Sequence, residues 1–163
     1  LIANGYHGLT VRNVAKRAGV APATAYTYFA SKEHLVAEVY WRRYSAAEPP
    51  PIDRRRSPAA RATEVLLGFA LVVADETELA AAVTVAMLAD DPEVRDLRTQ
   101  IGLELHRRLL EALGDDADPS AITVLELAIS GALLQVGTGH LSYGDLPDLL
   151  ASVATQTLEG TTR

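Results

Sequence analysis

The stretch "LTVRNVAKRAGVAPATAYTYFASKEHL", residues 9–35, decides the fold of the first part of the chain. It opens with apolar residues at the i, i+3, i+4, i+7 spacing of one buried helical face, which are Val11, Val14, Ala15 and Ala18. Gly19 then has the conformational freedom that a tight turn needs, and we expect Val20 to point back into the core. The pattern predicts a short helix that ends in a turn.

A second short helix begins directly after that turn. Pro22 suits a first helical position, and Ala25 and Phe29, four residues apart, share an inward face. The opposite face carries small and hydroxyl-bearing side chains, which are Ala23, Thr24, Tyr26, Thr27 and Tyr28. Small residues fall where the two helices must cross closely. The sequence therefore predicts a helix-turn-helix.

The outward face of the second helix has chemistry suited to DNA. Hydroxyls donate to phosphates, and methyl groups contact the thymine methyl in the major groove. Lys16, Arg17 and Lys32 lie close by in the sequence, and we expect them to hold the phosphate backbone. For Tyr28, packing on the next helix and DNA contact remain equally open, whereas the outward position of Tyr26 favours DNA.

These residues resemble the N-terminal signature of the TetR family of bacterial transcriptional regulators over about residues 1–40. The matching positions are Gly5, Tyr6, Thr10, Ala18, Gly19, Val20, Tyr26, Phe29, Ser31, Lys32 and Glu33. The resemblance implies an N-terminal DNA-binding head and a larger helical body that binds an effector and forms a homodimer. By resemblance, phosphates are contacted by Thr10, Tyr26 and Lys32, and base edges are approached by Ala23, Thr24 and Thr27.

Two positions depart from that signature. Ala21 stands where a serine cap is usual, which leaves the first amides of the recognition helix without a side-chain acceptor. Ala23 stands where glycine is common, which limits how closely the backbone approaches DNA. The opening "LIAN" is expected to be the last turn of a first helix that is mostly absent from the chain.

Charge is distributed unevenly along the chain. The formal net charge is −6, yet residues 1–45 carry six Lys and Arg against two Glu, which leaves −10 for the remainder. Phosphate attraction depends on charge within about 8–10 Å, so a basic head on an acidic body favours a nucleic-acid partner. A chance asymmetry of surface charge is the alternative.

The rest of the sequence predicts an all-α protein. Apolar periodicity predicts helices at 10–18, 22–29, 31–46, 58–75, 78–89, 92–113, 119–138 and 145–158. Expected N-caps are Thr10, Ser31, Ser57, Asp91 and Asp118. "AAEPPPIDRRRSP" is interpreted as a linker, because consecutive prolines stop a helix. We therefore divide the chain into a DNA-binding head at 1–45, a linker at 46–57 and an effector-binding and dimerisation body at 58–163.

The body has helices that are apolar on most of their circumference, so they are buried all round or line a cavity. Candidate apolar lining residues are Leu66, Phe69, Val73, Val83, Met87, Leu105 and Leu109, and candidate polar ligand contacts are Thr84, Gln100, His106 and Gln135. Ordinary core packing is the alternative for each. Because the set is aliphatic, a lipid-like or sterol-like effector is favoured over a planar one.

The last two predicted helices each carry an apolar stripe. One contains Ile122, Leu125, Ile129, Leu133 and Val136, and the other Leu146, Leu149, Leu150, Val153 and Leu158. We expect residues of about 119–158 to form a four-helix homodimer interface, since a twofold protein matches a palindromic operator. Packing within one chain is an equally simple account of the stripes.

Sequence features of enzymes are missing. The chain has no cysteine, its four histidines lack ligand spacing, and it shows no Gly-rich phosphate loop or nucleophile motif. We expect no catalytic residues, metal or cofactor. No secretory signal is expected from "LIANGYHG", and no apolar run is long enough for a membrane partner, so a cytoplasmic location is expected.

The sequence thus predicts a ligand-responsive repressor that a small apolar effector releases from a double-stranded palindromic operator. The alternative is a non-enzymatic helical protein that binds a small molecule or a partner and has lost DNA binding. Substitution of Tyr26 and Lys32 discriminates the two, because only the regulator would lose affinity for DNA.

Overall fold

The computed structural model describes residues 6–114 and 117–160. The expected end of a first helix at "LIAN", and the glycine of the Gly5-Tyr6 pair, lie outside the described residues.

The described residues form helices and their connections. The α-helices are α1 (Val11–Arg17), α2 (Pro22–Tyr28), α3 (Lys32–Ala46), α4 (Pro58–Ala70), α5 (Thr77–Met87), α6 (Pro92–Leu113), α7 (Pro119–Gly137) and α8 (Leu146–Leu158). Two single 3₁₀ turns, Leu71–Val73 and Tyr143–Asp145, follow α4 and precede α8. The all-α prediction is confirmed. The helix bounds follow the predicted ones within two residues except at the predicted helix 58–75, where the α-helix ends at Ala70 and a 3₁₀ turn follows it.

The five predicted N-caps are confirmed. The hydroxyls of Thr10, Ser31 and Ser57 accept from amides three residues on, and the carboxylates of Asp91 and Asp118 accept from amides two or three residues on. Hydrogen bonds also stabilise the charged form of the two carboxylates. A hydrogen bond from Ser31 lowers the pKa of Asp91, and one from the Ser120 amide lowers the pKa of Asp118. The caps therefore fix where α1, α3, α4, α6 and α7 begin.

The main core of the body lies among α4, α6, α7 and α8. Leu66, Leu109, Leu125, Ile129 and Leu150 are fully buried there and pack in one apolar cluster. This placement shows how the apolar stripes of α7 and α8 pack. Ile122, Leu125 and Ile129 of α7 and Leu146 and Leu150 of α8 point into their own chain, so intramolecular packing accounts for them, whereas Leu149 of α8 is exposed.

A second apolar cluster joins α3 to α5 and α6. It contains Tyr40 and Tyr44 of α3 and Val83 of α5, and Phe69 of α4 packs edge-on against both tyrosines. In the predicted division α3 belongs to the head, yet its buried face packs against body helices. α3 therefore connects the recognition helix α2 with α5 and α6 of the body.

Arg108 fastens the end of α3 to α6. Its guanidinium is buried, lies 4.3 Å from the centre of the Tyr44 ring, and donates to the carbonyls of Tyr44 and Ala47 at 2.9 and 3.0 Å. Glu104 accepts from its Nε at 2.7 Å. The hydrogen bonds from Arg107 and Arg108 lower the pKa of Glu104 to about 2. This junction satisfies the last carbonyls of α3, which a helix end leaves without internal partners.

The helix α7 is the one among the described residues that is long and apolar enough to cross a bilayer, with a mean hydropathy of 1.5. Ile122, Leu125 and Ile129 are buried in the core described above, and core helices of globular proteins meet the same criterion. Only 28 % of that apolar window is buried, so much of the helix faces outward.

Candidate functional site in the head and the body

The turn between α1 and α2 has the geometry that the glycine predicts. Gly19 has φ +70°, and the amides of Gly19 and Val20 donate to the carbonyls of Lys16 and Ala15. This pair of bonds is the Schellman ending of a helix. It sets the direction in which the chain leaves α1 toward α2.

Two expectations in this turn are wrong. Val20 is 42 % exposed rather than buried, because its position is set by the backbone bond to Ala15 and not by packing. Ala18 is also exposed, since it is the C-cap of α1 and lies beyond the packed face that Val11 and Ala15 form.

The outward face of α2 is open to solvent. Tyr26 and Tyr28 are 49 % and 71 % exposed, whereas Ala25 and Phe29 are half-buried. Ala23, Thr24 and Thr27 are exposed beside the tyrosines, and the Thr27 hydroxyl donates to the carbonyl of its neighbour Thr24 at 2.6 Å. The predicted base-reading and phosphate-contacting residues of α2 therefore form one accessible surface. Exposure of Tyr28 removes packing as its explanation.

Basic side chains border this surface. Lys16 and Arg17 end α1, are exposed, and make no ion pair with the described residues. Thr10 is exposed at the start of α1, where its hydroxyl already accepts from the Asn13 amide at 3.1 Å. Its hydroxyl hydrogen remains free to donate to a phosphate.

Lys32 is less free than the sequence predicts. Its ammonium lies 4.3 Å from the centre of the Tyr6 ring, donates to the Tyr6 carbonyl at 3.4 Å, and is 4.0 Å from Glu33. The Tyr6 hydroxyl donates to Glu33 at 3.0 Å, and burial with this carboxylate raises the pKa of Tyr6. These contacts hold Lys32 at the first turn of α3, beside α2.

The predicted weakness at Ala21 is confirmed. α2 begins without a side-chain cap, and Pro22 contributes no amide hydrogen at its first position. None of the seven residues of α2 is fully buried. The recognition helix is therefore held by its turn and by partial burial of Ala25 and Phe29.

The body contains a cavity of about 340 Å³ between α3, α4, α5, α6 and α7. Its lining includes six of the predicted ligand contacts, which are Phe69, Val73, Val83, Thr84, Met87 and Leu105. The structure adds residues that the prediction missed, which are Tyr40, Ala70, Ala80, Leu88, Arg98, Ile101, Gly102, Ser130, Leu133, Leu134 and Tyr143. The lining is mostly aliphatic.

The other predicted ligand contacts lie outside the cavity lining. Leu66 and Leu109 are fully buried in the main core. Gln100 and Gln135 are exposed. His106 instead pairs with Glu126 at 2.8 Å and joins α6 to α7.

Helical periodicity carries a signal for some of the missed residues. Arg98, Ile101 and Gly102 precede Leu105 at i−7, i−4 and i−3, so they share its face of α6. Tyr40 and Tyr143 lie on α3 and on the turn before α8, far from the cavity in sequence. No local pattern places those two at the site.

The cavity is in contact with the head through α3. Met87 lines the cavity and also packs with Ala37 and Trp41 of α3 and with Val94 and Leu97 of α6. At the end of the same interface, the Ser31 hydroxyl donates to Asp91 at 2.6 Å, which joins the N-caps of α3 and α6. A continuous set of contacts therefore runs from Met87 in the cavity wall to Ser31, which lies three residues after the end of the recognition helix α2.

Comparison with known proteins agrees with this architecture. The family model of bacterial regulatory proteins, tetR family, matches residues 1–39. An uncharacterized HTH-type transcriptional regulator of Mycobacterium tuberculosis is 48 % identical over 157 residues, which is 95 % of this chain and 73 % of that protein. The HTH-type transcriptional repressor KstR of Rhodococcus jostii is 29 % identical over 141 residues, covering 84 % of this chain and 63 % of that protein.

A solved structure shows the same fold. The crystal structure of a TetR transcriptional regulator from a Rhodococcus species matches 99 % of this chain and 92 % of its own, with a TM-score of 0.78 at 22 % identity. The helix-turn-helix signature, the near-complete match to a helix-turn-helix regulator and the shared fold agree. The chain belongs to the TetR family of bacterial transcriptional regulators, which are DNA-binding proteins.

Proposed function

We propose that this protein is a homodimeric repressor that binds a palindromic operator through α1 and α2 and leaves it when a small apolar effector fills the body cavity. The observation that carries the proposal is the cavity wall at Met87, which is continuous with the buried face of α3. One relative, KstR, is a transcriptional repressor by name, and this supports the sign of regulation.

DNA binding rests on the accessible surface of α2. Thr24, Tyr26 and Thr27 meet base edges and phosphates when α2 lies in the major groove. Lys16 and Arg17 carry charge without ion-pair partners among the described residues, so phosphates are the natural acceptors. Few residues of this face make bidentate base contacts, so phosphate contacts supply much of the affinity.

Release by the effector follows from the shared helix. A ligand that fits one arrangement of α5 and α6 better than another shifts the population toward it. Because Val94, Leu97 and Met87 pack on α3, and Asp91 holds Ser31, such a shift reorients the head. Two heads that no longer match successive major grooves lose the operator.

Dimerisation is assigned to the outer faces of α6 and α7. Leu127 of α7 and Leu103 of α6 are 68 % and 64 % exposed, and His106 joins the two helices through Glu126. Further exposed apolar residues on these faces are Leu110, Val124 and Leu134. Exposed apolar residues on two neighbouring helices suit an interaction site, and in this proposal a second copy covers them symmetrically.

The remaining expectations form part of the same proposal. The division into a head at 1–45, a linker at 46–57 and a body at 58–163 assigns DNA binding and effector binding to separate regions joined by α3. A cytoplasmic location and a non-enzymatic role are part of the proposal, and they are supported by the relatives, which are transcriptional regulators.

Selection from a random pool of DNA duplexes tests the proposal and requires no chosen operator sequence. The full chain should enrich an inverted repeat whose half-sites lie about one helical turn apart, roughly 34–36 Å. Sedimentation should show a dimer both alone and on the enriched duplex. Enrichment of no sequence above the starting pool would contradict the proposed DNA recognition.

A matched pair of variants tests the dimer surface. Leu127→Glu places a charge on the proposed interface and should give monomers that bind the repeat weakly. Leu71→Glu changes a leucine that is also exposed but lies on the 3₁₀ turn after α4, and it should remain dimeric. Dimers formed by both variants would show that α7 is not the interface.

A further inference from the structure

The cavity wall contains a cation that its apolar surroundings do not explain. Arg98 is the charged residue among the described residues that line the cavity, and the rest of the lining is aliphatic, aromatic or neutral and polar. A guanidinium beside apolar surface carries a desolvation cost unless its charge and its donors are satisfied.

Protein groups accept hydrogen bonds from only one nitrogen of the Arg98 guanidinium. Its Nη1 donates to the carbonyls of Met87 and Ala89 at 2.7 and 3.0 Å, at the C-terminal end of α5. The carbonyls of a helix end attract a cation but do not neutralise it. No carboxylate of the described residues lies within the 4.0 Å of an ion pair, and Nε and Nη2 have no acceptor among those residues.

Two neighbouring arginines of α6 are paired with acids. Arg108, at 6 % exposure, pairs with Glu104, and Arg107 pairs with Glu104 and Glu111. Arg98 lies on the same helix, is partly exposed and lines the cavity, and no acid pairs with it among the described residues. The two free donor positions of the guanidinium match the two oxygens of a carboxylate, which Arg binds in a fork geometry.

We propose that the effector is an apolar carboxylic acid whose carboxylate binds Arg98 and whose hydrocarbon part fills the cavity along α5. This inference rests on the proposed effector site and adds the charge of its ligand. α5 is about 16 Å long, so the acid head lies near Met87 and the chain extends toward Ala80 and Phe69. A carboxylate beside Met87 sits at the point where the cavity wall meets α3.

The test compares dodecanoic acid with dodecanol, which has the same hydrocarbon chain and no charge. The intrinsic fluorescence of Trp41, the one tryptophan of the chain, reports binding because Trp41 packs in the same cluster as Met87. We expect the chain to bind dodecanoate at least about tenfold more tightly than dodecanol, the effect of one charge-assisted pair in a partly screened site.

Two variants separate charge from shape. Arg98→Met should bind dodecanol as before and lose the preference for the acid, while Arg98→Lys should keep a weaker preference. Dodecanol binding by Arg98→Met also shows that the cavity is intact. If wild type binds acid and alcohol equally, or Arg98→Met keeps the preference, the acid anchor is wrong and the effector site stands. Binding of neither compound would contradict the effector site itself.

Discussion

The recognition helix α2 and the junction of α3 with α6 are built in opposite ways. α2 has seven residues, no side-chain cap and no fully buried residue. The junction places Tyr44 at zero exposure under a buried guanidinium, with the last carbonyls of α3 satisfied by Arg108.

The difference assigns separate tasks to the two regions. Side chains that leave the protein surface for DNA must be exposed, so α2 contributes little burial and little stability. The junction contributes stability and fixes α3 relative to the cavity. Substitutions in α2 should therefore change binding and spare folding, and substitutions in the junction should do the reverse.

Arg108→Ala should have the largest effect on folding. It removes a donor from the carbonyls of Tyr44 and Ala47 and the buried one of the two arginines that pair with Glu104. Because Arg107 still pairs with Glu104, we expect a loss of about 3 kcal/mol, the lower end for a broken buried charge pair. Chemical denaturation measures the loss. Arg107→Ala is the control, because Arg107 is half exposed and its loss should cost at most about 1 kcal/mol. Equal losses in both variants would show that burial at the junction is irrelevant.

The junction should also weaken in acid. The pKa of Glu104 is depressed from 4.5 to about 2, so its contribution is present above pH 4.5 and lost as the pH falls toward 2. Between about pH 6 and pH 3, wild type should lose more unfolding free energy than Glu104→Gln, by about 1 kcal/mol, because the half-exposed Arg107 partner is screened by solvent. Denaturation at both pH values measures this, and parallel declines would argue against a native carboxylate with a depressed pKa.

Replacement of Lys16 and Arg17 by alanine should act on DNA and not on folding. Loss of two phosphate contacts should lower the slope of log affinity against log salt by about 2. The melting temperature should stay near that of wild type, since both side chains are exposed. Arg55→Ala, an exposed arginine of the linker, should leave the slope unchanged. An unchanged slope in the double variant would remove these residues from the DNA surface.

The smallest predicted changes in unfolding free energy concern Tyr44 and Tyr40 of α3, whose hydroxyls differ in hydrogen bonding. The buried Tyr44 hydroxyl has no hydrogen-bond partner in the part of the chain that the structure describes, so Tyr44→Phe should raise the unfolding free energy by about 1 kcal/mol. The Tyr40 hydroxyl donates to the Phe69 carbonyl at 2.9 Å, so Tyr40→Phe should lower it by about 1 kcal/mol. Effects of the same sign would contradict the hydrogen bonding of this cluster.

The sequence predicts the head better than the cavity for a physical reason. Tyr26 and Thr27 belong to one short helix, so periodicity alone places them on one face, and capping rules locate Ser31 and Asp91. The exposure of Val20 depends on a backbone ending that apolar spacing does not encode. The cavity depends on how five helices pack, so Tyr40 and Tyr143 could not be found from local pattern, whereas Arg98 shares the periodicity of Leu105.

The account depends most on the separation of binding from stability in α2, and Tyr26→Ala tests it directly. The variant and wild type should be compared for affinity to the selected inverted repeat and for melting temperature in the same buffer. We expect affinity to fall at least about tenfold, as loss of one hydrogen bond to a charged phosphate, about 1.5–3 kcal/mol, requires, with the melting temperature within about 2 °C of wild type. An unchanged affinity, or a loss of affinity that only accompanies unfolding, would contradict the assignment of α2 as the DNA-reading helix.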